Sequence, residues 1–243
     1  MIHKFRSLIE WIVISVCARI GNRDYLTGTR IQKIDNTLQI GSSYGGWLIP
    51  VDLIRNKAVC YCVGVGEDIT FDLGIIERFG CEVYAFDPMP RAKAHVEAHA
   101  RGVSDFKHFE IGLWDVDDTV KMYAHSNPAS TSYSITNLHQ TESYFEARVK
   151  RLSSIMSEMR HSRLDLLKID IEGAEYKVVD SIISDGLDID IICIEYDEIH
   201  SKNHPGYQDR IKDSIQKLLD YGYTLTALKP KSDYTFVKTS LVS

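Results

Sequence analysis

The sequence predicts an α/β fold: an open, mostly parallel sheet with helices on both faces. Three observations carry that prediction. From Ala58 onward, short apolar runs alternate with stretches whose apolar residues recur at helical spacing, the rhythm of βαβ units. Two of the apolar runs then end in glycines and acids. Val59-Cys60-Tyr61-Cys62-Val63 leads into Gly64-Val65-Gly66-Glu67-Asp68, and Leu164 to Ile169 leads into Asp170-Ile171-Glu172-Gly173. An open parallel sheet presents its ligand crevice at the carboxyl ends of its strands, so the two clusters fall on one crevice.

The elements follow in order. The first strand, Val59 to Val63, precedes a helix carried by Ile69, Leu73, Ile76 and Phe79 and stopped by Gly80. Strand two is Cys81 to Phe86. Pro90 opens a helix that runs through Arg101 and ends at Gly102, since proline suits the first helical turn and glycine the position after the last. A third strand is expected from Phe106 to about Leu113, and a further one from Val120 to Tyr123. The polar stretch from Ser126 to Ser134 has no core pattern and reads as filler or as a lid. Next come a short strand near Arg148 to Leu152, a helix capped by Ser153, strand four (Leu164 to Ile169) and strand five (Ile189 to Ile194). The helix between strands four and five buries Tyr176, Val179, Ile182 and Ile183. A helix from Asp209 to Leu219 and two closing strands, Tyr223 to Leu228 and Tyr234 to Lys238, suggest an antiparallel hairpin at the sheet edge. Ahead of these, residues 1–50 read as an N-terminal helix and cap segment, with β-like pieces at Ile31 to Ile34 and Leu38 to Ile40 and a glycine-rich turn from Gly41 to Trp47. Residues 51–243 form the ligand-binding domain.

Composition narrows the class. At 243 residues and 44% hydrophobic, the chain can bury a full core without staples. A net charge of -6 with no Lys/Arg block leaves nucleic acid without a basic footprint. Cys60, Cys62, Cys81 and Cys193, four of five cysteines, sit in or beside apolar runs, which suits reduced thiols in a cytoplasmic protein. No cysteine or histidine pair is spaced to complete a metal clip at Cys60 and Cys62. The first 20 residues place a basic flank before an apolar run interrupted by Glu10, too short to span a bilayer, which takes about 20 apolar residues. Such a helix packs on the domain or a partner subunit, or makes weak contact with a membrane surface. The oligomeric state is not legible.

The crevice residues suggest a nucleoside ligand. Gly64 and Gly66 let the backbone approach it, with Val65 between them, and Asp87, followed by Pro88, ends strand two where a carboxylate meets ribose hydroxyls. Glu67 and Asp68 fill the turn where a pyrophosphate would sit, so they repel NAD and suit a sulfonium or an α-ammonium group. S-adenosylmethionine fits better. Leu113 and Trp114 after strand three could pack on the purine while Asp115 accepts its amino hydrogens, and the Gly45-Gly46-Trp47 turn could close over the cofactor.

Phe86-Asp87-Pro88, Leu167-Lys168-Ile169-Asp170-Ile171-Glu172-Gly173-Ala174-Glu175 and Ile194-Glu195 resemble the FkbM family of S-adenosylmethionine-dependent methyltransferases over roughly residues 40–240. The resemblance implies a class I, Rossmann-like fold: a seven-stranded sheet with its last strand antiparallel. It also implies methyl transfer to a hydroxyl, most plausibly of a sugar or glycan precursor. Cys62 stands where the family generally has an aspartate, and Glu67 or Asp68 could replace the lost charge. The alternatives are a non-catalytic scaffold, motivated by Cys62, and an NAD-linked oxidoreductase.

Four residues are candidates for the chemistry: Lys168, Asp170, Glu195 and His200. Lys168 and Asp170 share one face of an apolar strand, and a buried lysine is costly unless paired. Glu195 or Glu175 is expected to hold Lys168, leaving Asp170 to face the transferred methyl. Asp170 and Glu172 could instead only cap the following helix. A hydroxyl must also lose its proton, and Asp170, Glu195 or His200 could accept it. Asp170 and Glu195 with a loop histidine could also hold Mg2+.

Overall fold

The computed structural model describes residues 22–127, 130, 132–200, 205–229 and 232–242. The helix expected in the first 20 residues, with its membrane contact, lies outside them. No described helix is long and apolar enough to cross a membrane.

A hairpin of β1 (Thr37–Ile40) and β2 (Trp47–Pro50) opens the chain. Then come β3 (Val59–Val63), α1 (Thr70–Phe79), β4 (Glu82–Phe86), α2 (Pro90–His99) and β5 (Phe106–Phe109). Four short strands follow: β6 (Gly112–Leu113), β7 (Asp118–Ala124), β8 (Tyr133–Ser134) and β9 (Tyr144–Lys150). The remainder is α3 (Leu152–Met159), β10 (Leu164–Ile169), α4 (Glu175–Ser184), β11 (Ile189–Glu195), α5 (Tyr207–Asp220), β12 (Tyr223–Lys229) and β13 (Asp233–Lys238).

Seven strands form the main sheet in the order β5-β4-β3-β10-β11-β13-β12. Those from β5 to β11 pair in parallel, and β13 runs antiparallel to both neighbours. The central strands are apolar because both faces are covered: every residue of β10 is buried. Alternation along the strands sorts the core into two layers. Tyr61, Phe86, Leu167 and Ile192 pack with α3, α4 and α5; Cys60, Val83, Leu166 and Ile191 pack with α1, α2 and β2. Trp47 and Ile49 of β2 belong to the second layer, so the cap hairpin is part of the core. The described cysteines, Cys60, Cys62, Cys81 and Cys193, are free and buried.

Four expectations change. The third strand stops at Phe109, because its partner β4 ends at Phe86, the residue paired with Phe109. Gly112 and Leu113 instead pair with β9 in a second sheet of order β6-β9-β7-β8, which no periodicity announced. Helix α3 starts after Arg151 with no side-chain cap, and Ser153 Oγ donates to Asp185 instead. Ile31 to Ile34 forms no strand.

Candidate active site

The carboxyl ends of β3, β4 and β10 open into a cavity of about 500 Å³, within the range of small-molecule sites. Its floor is the turn after β3. Gly64 has φ 81°, and a Cβ on it would lie 1.7 Å from the Asp170 carbonyl oxygen, so the ends of β3 and β10 touch through a gap only glycine leaves. Gly64→Ala is therefore expected to destabilise the fold by about 2–4 kcal/mol or prevent soluble expression, read as a lowered urea midpoint. An unchanged midpoint would refute this close approach.

Asp87, 6% exposed, organises the turn. Its Oδ2 accepts the backbone N–H groups of Val65 (2.9 Å) and Gly66 (3.0 Å), and its Oδ1 accepts that of Met89 (2.9 Å). A carboxylate offers about four acceptor positions, so about one remains for a ribose hydroxyl. The side chain thus shapes the loop as well as facing the cavity.

Glu67 and Asp68, paired in the sequence reading, have separate fates. Glu67 lines the rim with Arg91 3.6 Å away. Asp68 also borders the cavity, but its oxygens take Ser42 Oγ (2.6 Å), Thr70 N (2.9 Å) and Thr70 Oγ1 (2.6 Å). Burial raises its pKa, but those hydrogen bonds outweigh it and hold the group below its ordinary value. Asp68 is committed to fastening the cap turn onto α1.

On the purine side the cavity is walled by Pro88, Met89, Gly112 and Leu113, with Met122 and Val149 from the second sheet. Trp114 and Asp115 are not in this wall. The Trp114 backbone N–H donates to the Lys150 carbonyl, while the Asp115 backbone carbonyl accepts from Arg151 and its carboxylate lies 3.8 Å from Lys177. Once Leu113 pairs with β9, the chain turns outward, and methionine and valine supply the apolar surface assigned to tryptophan.

At the other end stands Asp170, half-buried, beside the buried Lys168. The Lys168 ammonium donates to Asp170 Oδ2 (3.2 Å) and to the Gly64 carbonyl. This corrects the expected pairing with Glu195 or Glu175. Residues i and i+2 of a strand share a face, which puts Asp170 nearest. Glu195 accepts from Ser232 Oγ (2.9 Å), and Glu175 turns back on its own helix start to accept the Gly173 N–H (3.0 Å). Burial lowers the Lys168 pKa, but Asp170 and then Asp72 more than restore it, so the ammonium stays charged. Asp72, on α1, is itself buried with one oxygen lacking a hydrogen-bond partner, and burial raises its pKa.

Burial also dominates at Asp170, outweighing Lys168, and with Glu195 nearby pushes the pKa up to about 6. Glu195 does not line the cavity, but Asp170, Glu195 and Asp197 bring carboxylate oxygens within 4.8 Å of one another. Burial pushes Asp197 well up and Glu175 to about 8. His200 ends the short turn Asp197–His200, and its side chain lies outside the described residues.

Sequence reasoning missed several cavity residues. Glu172 lines the wall with φ 55°, its N–H given to Asp197 (2.8 Å) and its carbonyl taken by Ser134 Oγ (2.6 Å). Ser130, Ser132 and Tyr133 come from the polar stretch, which borders the site as one of its two readings held. Tyr44 comes from the cap turn, whose Gly45, expected in one reading to close over the cofactor, also lines the cavity.

The strand order, with its antiparallel β13, and the glycine turn bound to the acid of the next strand are those of the class I methyltransferase fold. The residues present fit S-adenosylmethionine: backbone and an acid at the ribose position, an apolar wall for the purine, and carboxylates toward its cationic end. The family model described as the methyltransferase FkbM domain matches residues 61–225, and the chain belongs to that family. It is 27% identical over 207 residues to the probable methyltransferase-like protein 24 of Rattus norvegicus, covering 82% of this chain and 50% of that one. Against the Homo sapiens protein of the same description the identity is 27% over 183 residues, covering 74% and 42%. The chain thus spans about half the length of the curated relatives it matches or less. Among solved structures it is similar to the fibrillarin pre-rRNA processing protein of Methanococcus jannaschii, with a TM-score of 0.46, 10% identity and coverage of 76% and 68%. Aeropyrum pernix fibrillarin, solved with natively bound S-adenosyl-L-methionine, gives a TM-score of 0.43, 14% identity and coverage of 78% and 69%.

Proposed function

We propose that the chain methylates a hydroxyl oxygen of a sugar or glycan precursor, with Asp170 as the proton acceptor. The observation that carries the reading is Asp170 itself: a carboxyl lining the cavity, raised to about 6 by burial, and held by an ammonium that also grips the cofactor turn. When bound, S-adenosylmethionine supplies an electrophilic methyl group on a sulfonium. Asp87 and the Val65–Gly66 turn would hold that cofactor, and Asp170 would accept the proton released by the acceptor hydroxyl as the methyl group leaves the sulfonium with the bonding electron pair remaining on sulfur. A carboxylate with a raised pKa is a better base while still ionised at neutral pH. Lys168 fixes its orientation, and the fixed distance between the strand ends supplies the proximity on which such a displacement depends. The carbohydrate part is supported by the family resemblance, whose members are often assigned to sugar O-methylation.

The test is transfer of radiolabelled methyl from S-adenosylmethionine to a panel of p-nitrophenyl glycosides. Label in a base-stable, O-linked product supports the reading; label in protein or amines only would end it.

The three clustered carboxylates favour a second reading, in which a magnesium ion rather than Asp170 alone activates the hydroxyl. Direct proton transfer to Asp170 predicts that saturating EDTA leaves turnover unchanged. Loss of turnover with EDTA, restored by Mg2+, would establish the ion instead.

A further inference from the structure

Tyr44 is 86% exposed, the most exposed of the large apolar side chains in the described chain, and still lines the cavity. Its backbone is firmly tied. Ser42 Oγ accepts the N–H groups of Tyr44 (3.1 Å) and Gly45 (2.9 Å) and donates to Asp68 (2.6 Å). From the far edge of the sheet, Lys229 donates to the carbonyls of Tyr44 (2.8 Å) and Gly46 (3.3 Å). The turn is tight enough that a Cβ on Gly46 would lie 2.3 Å from the Ser42 carbonyl oxygen.

Ordering such a turn costs backbone entropy, and burial of the ring does not offset it. The ring is held in the mouth of the cavity without filling any core. It also stands at a particular end. Asp87 and Leu113 mark the nucleoside side, whereas the Lys229 that holds Tyr44 lies 3.3 Å from Asp233, which pairs with Glu195 at the end of β11; burial and then the charges of Asp170 and Glu195 raise the pKa of the Tyr44 phenol. That end adjoins the proposed base.

An aromatic face beside acceptor-only carboxylates matches a polyol ring, with a C–H face to lie on the aromatic surface and O–H donors for the carboxylates. We infer that Tyr44 is the acceptor platform: its ring packs on the face of the acceptor's sugar ring and sets one hydroxyl toward Asp170. The inference rests on the carbohydrate reading above. It makes Tyr44 a specificity-determining residue that contributes nothing to cofactor binding.

The experiment compares wild type, Tyr44→Phe and Tyr44→Ala on the glycoside panel, with calorimetric binding of S-adenosylhomocysteine and thermal melting as controls. For the best glycoside, Tyr44→Ala should raise KM about 10-fold or more, with kcat lowered far less, the pattern of lost ground-state binding. Tyr44→Phe, which keeps the ring, should stay within about 3-fold of wild type. Nucleoside affinity and melting temperature should be unchanged in both. A KM for Tyr44→Ala within about 2-fold of wild type would overturn the platform. So would a KM rise matched by lost nucleoside affinity or a lowered melting temperature. A wild type that binds S-adenosylhomocysteine but methylates no glycoside removes the carbohydrate reading and the platform with it, and leaves the cofactor assignment standing.

Discussion

Replacing Asp170 by asparagine should lower kcat by about 10²–10⁴-fold, the usual contribution of a positioned base, while cofactor affinity stays near wild type and the melting temperature falls because the buried Lys168 loses its nearest counter-charge. An amide oxygen can still accept from Lys168, so the tie across the strand ends survives, but it cannot take a proton. The sign of the Asp170 shift spares part of the stability, against what is lost with the counter-charge of Lys168. A carboxyl whose folded pKa lies above its ordinary value withholds stability at neutral pH, since ionisation is easier in the unfolded chain. A neutral isostere therefore forfeits none from that source. The same shift sets the wild-type pH profile: kcat/KM should fall about tenfold per unit as pH drops below about 6, where Asp170 is protonated, and level off above it. The residual activity of Asp170→Asn should lack this limb. Near-normal turnover in the mutant, or the same acidic limb in its profile, would remove Asp170 from the chemistry.

Asp87→Ala should act on the cofactor instead. It deprives the backbone N–H groups of Val65, Gly66 and Met89 of their common acceptor, and hydrogen bonds to a charged group contribute about 1.5–3 kcal/mol each. Those bonds already order the turn in the free protein, so their loss falls on stability, while loss of the ribose hydroxyl's bond to the carboxylate corresponds to an affinity for S-adenosylhomocysteine weaker by about 10–10²-fold. The melting temperature should also fall. Asp87→Asn, which keeps one acceptor oxygen, should recover part of both. Calorimetry that shows Asp87→Ala binding the nucleoside as wild type does would mean that this carboxylate neither shapes nor touches the cofactor site.

These two residues were legible for different reasons. Gly64, Gly66 and Asp87 announce themselves because a strand, a glycine turn and an acid at the next strand's end are local patterns whose meeting follows from parallel pairing of neighbours. The alternation of strands and helices gave the parallel sheet and its edge hairpin in the same way, and the count of seven strands followed from the family resemblance. Lys168 was recognised as needing a counter-charge, but several acids were within reach, and only the directions of Glu175 and Glu195 settle the choice on Asp170. Trp114 and Asp115 were misplaced because β6 pairs with β9, a contact between distant segments that no periodicity encodes. Tyr44 reaches the cavity through side-chain bonds from Ser42 to Asp68 and from Lys229 to its own carbonyl. Such ties follow no sequence spacing, so Tyr44 itself carried no signal, although the glycine turn beside it read either as a bend or as a cover over the cofactor.

A crystal structure of the protein with S-adenosylhomocysteine tests the central claim most directly, namely that one cavity aligns the nucleoside between Asp87 and Asp170. The expected complex has a ribose hydroxyl at Asp87, the purine against Leu113, Met122 and Val149, and the sulfur facing Asp170, with the space beside it bounded by Tyr44. A nucleoside bound elsewhere, or one whose sulfur points away from Asp170, would contradict the account.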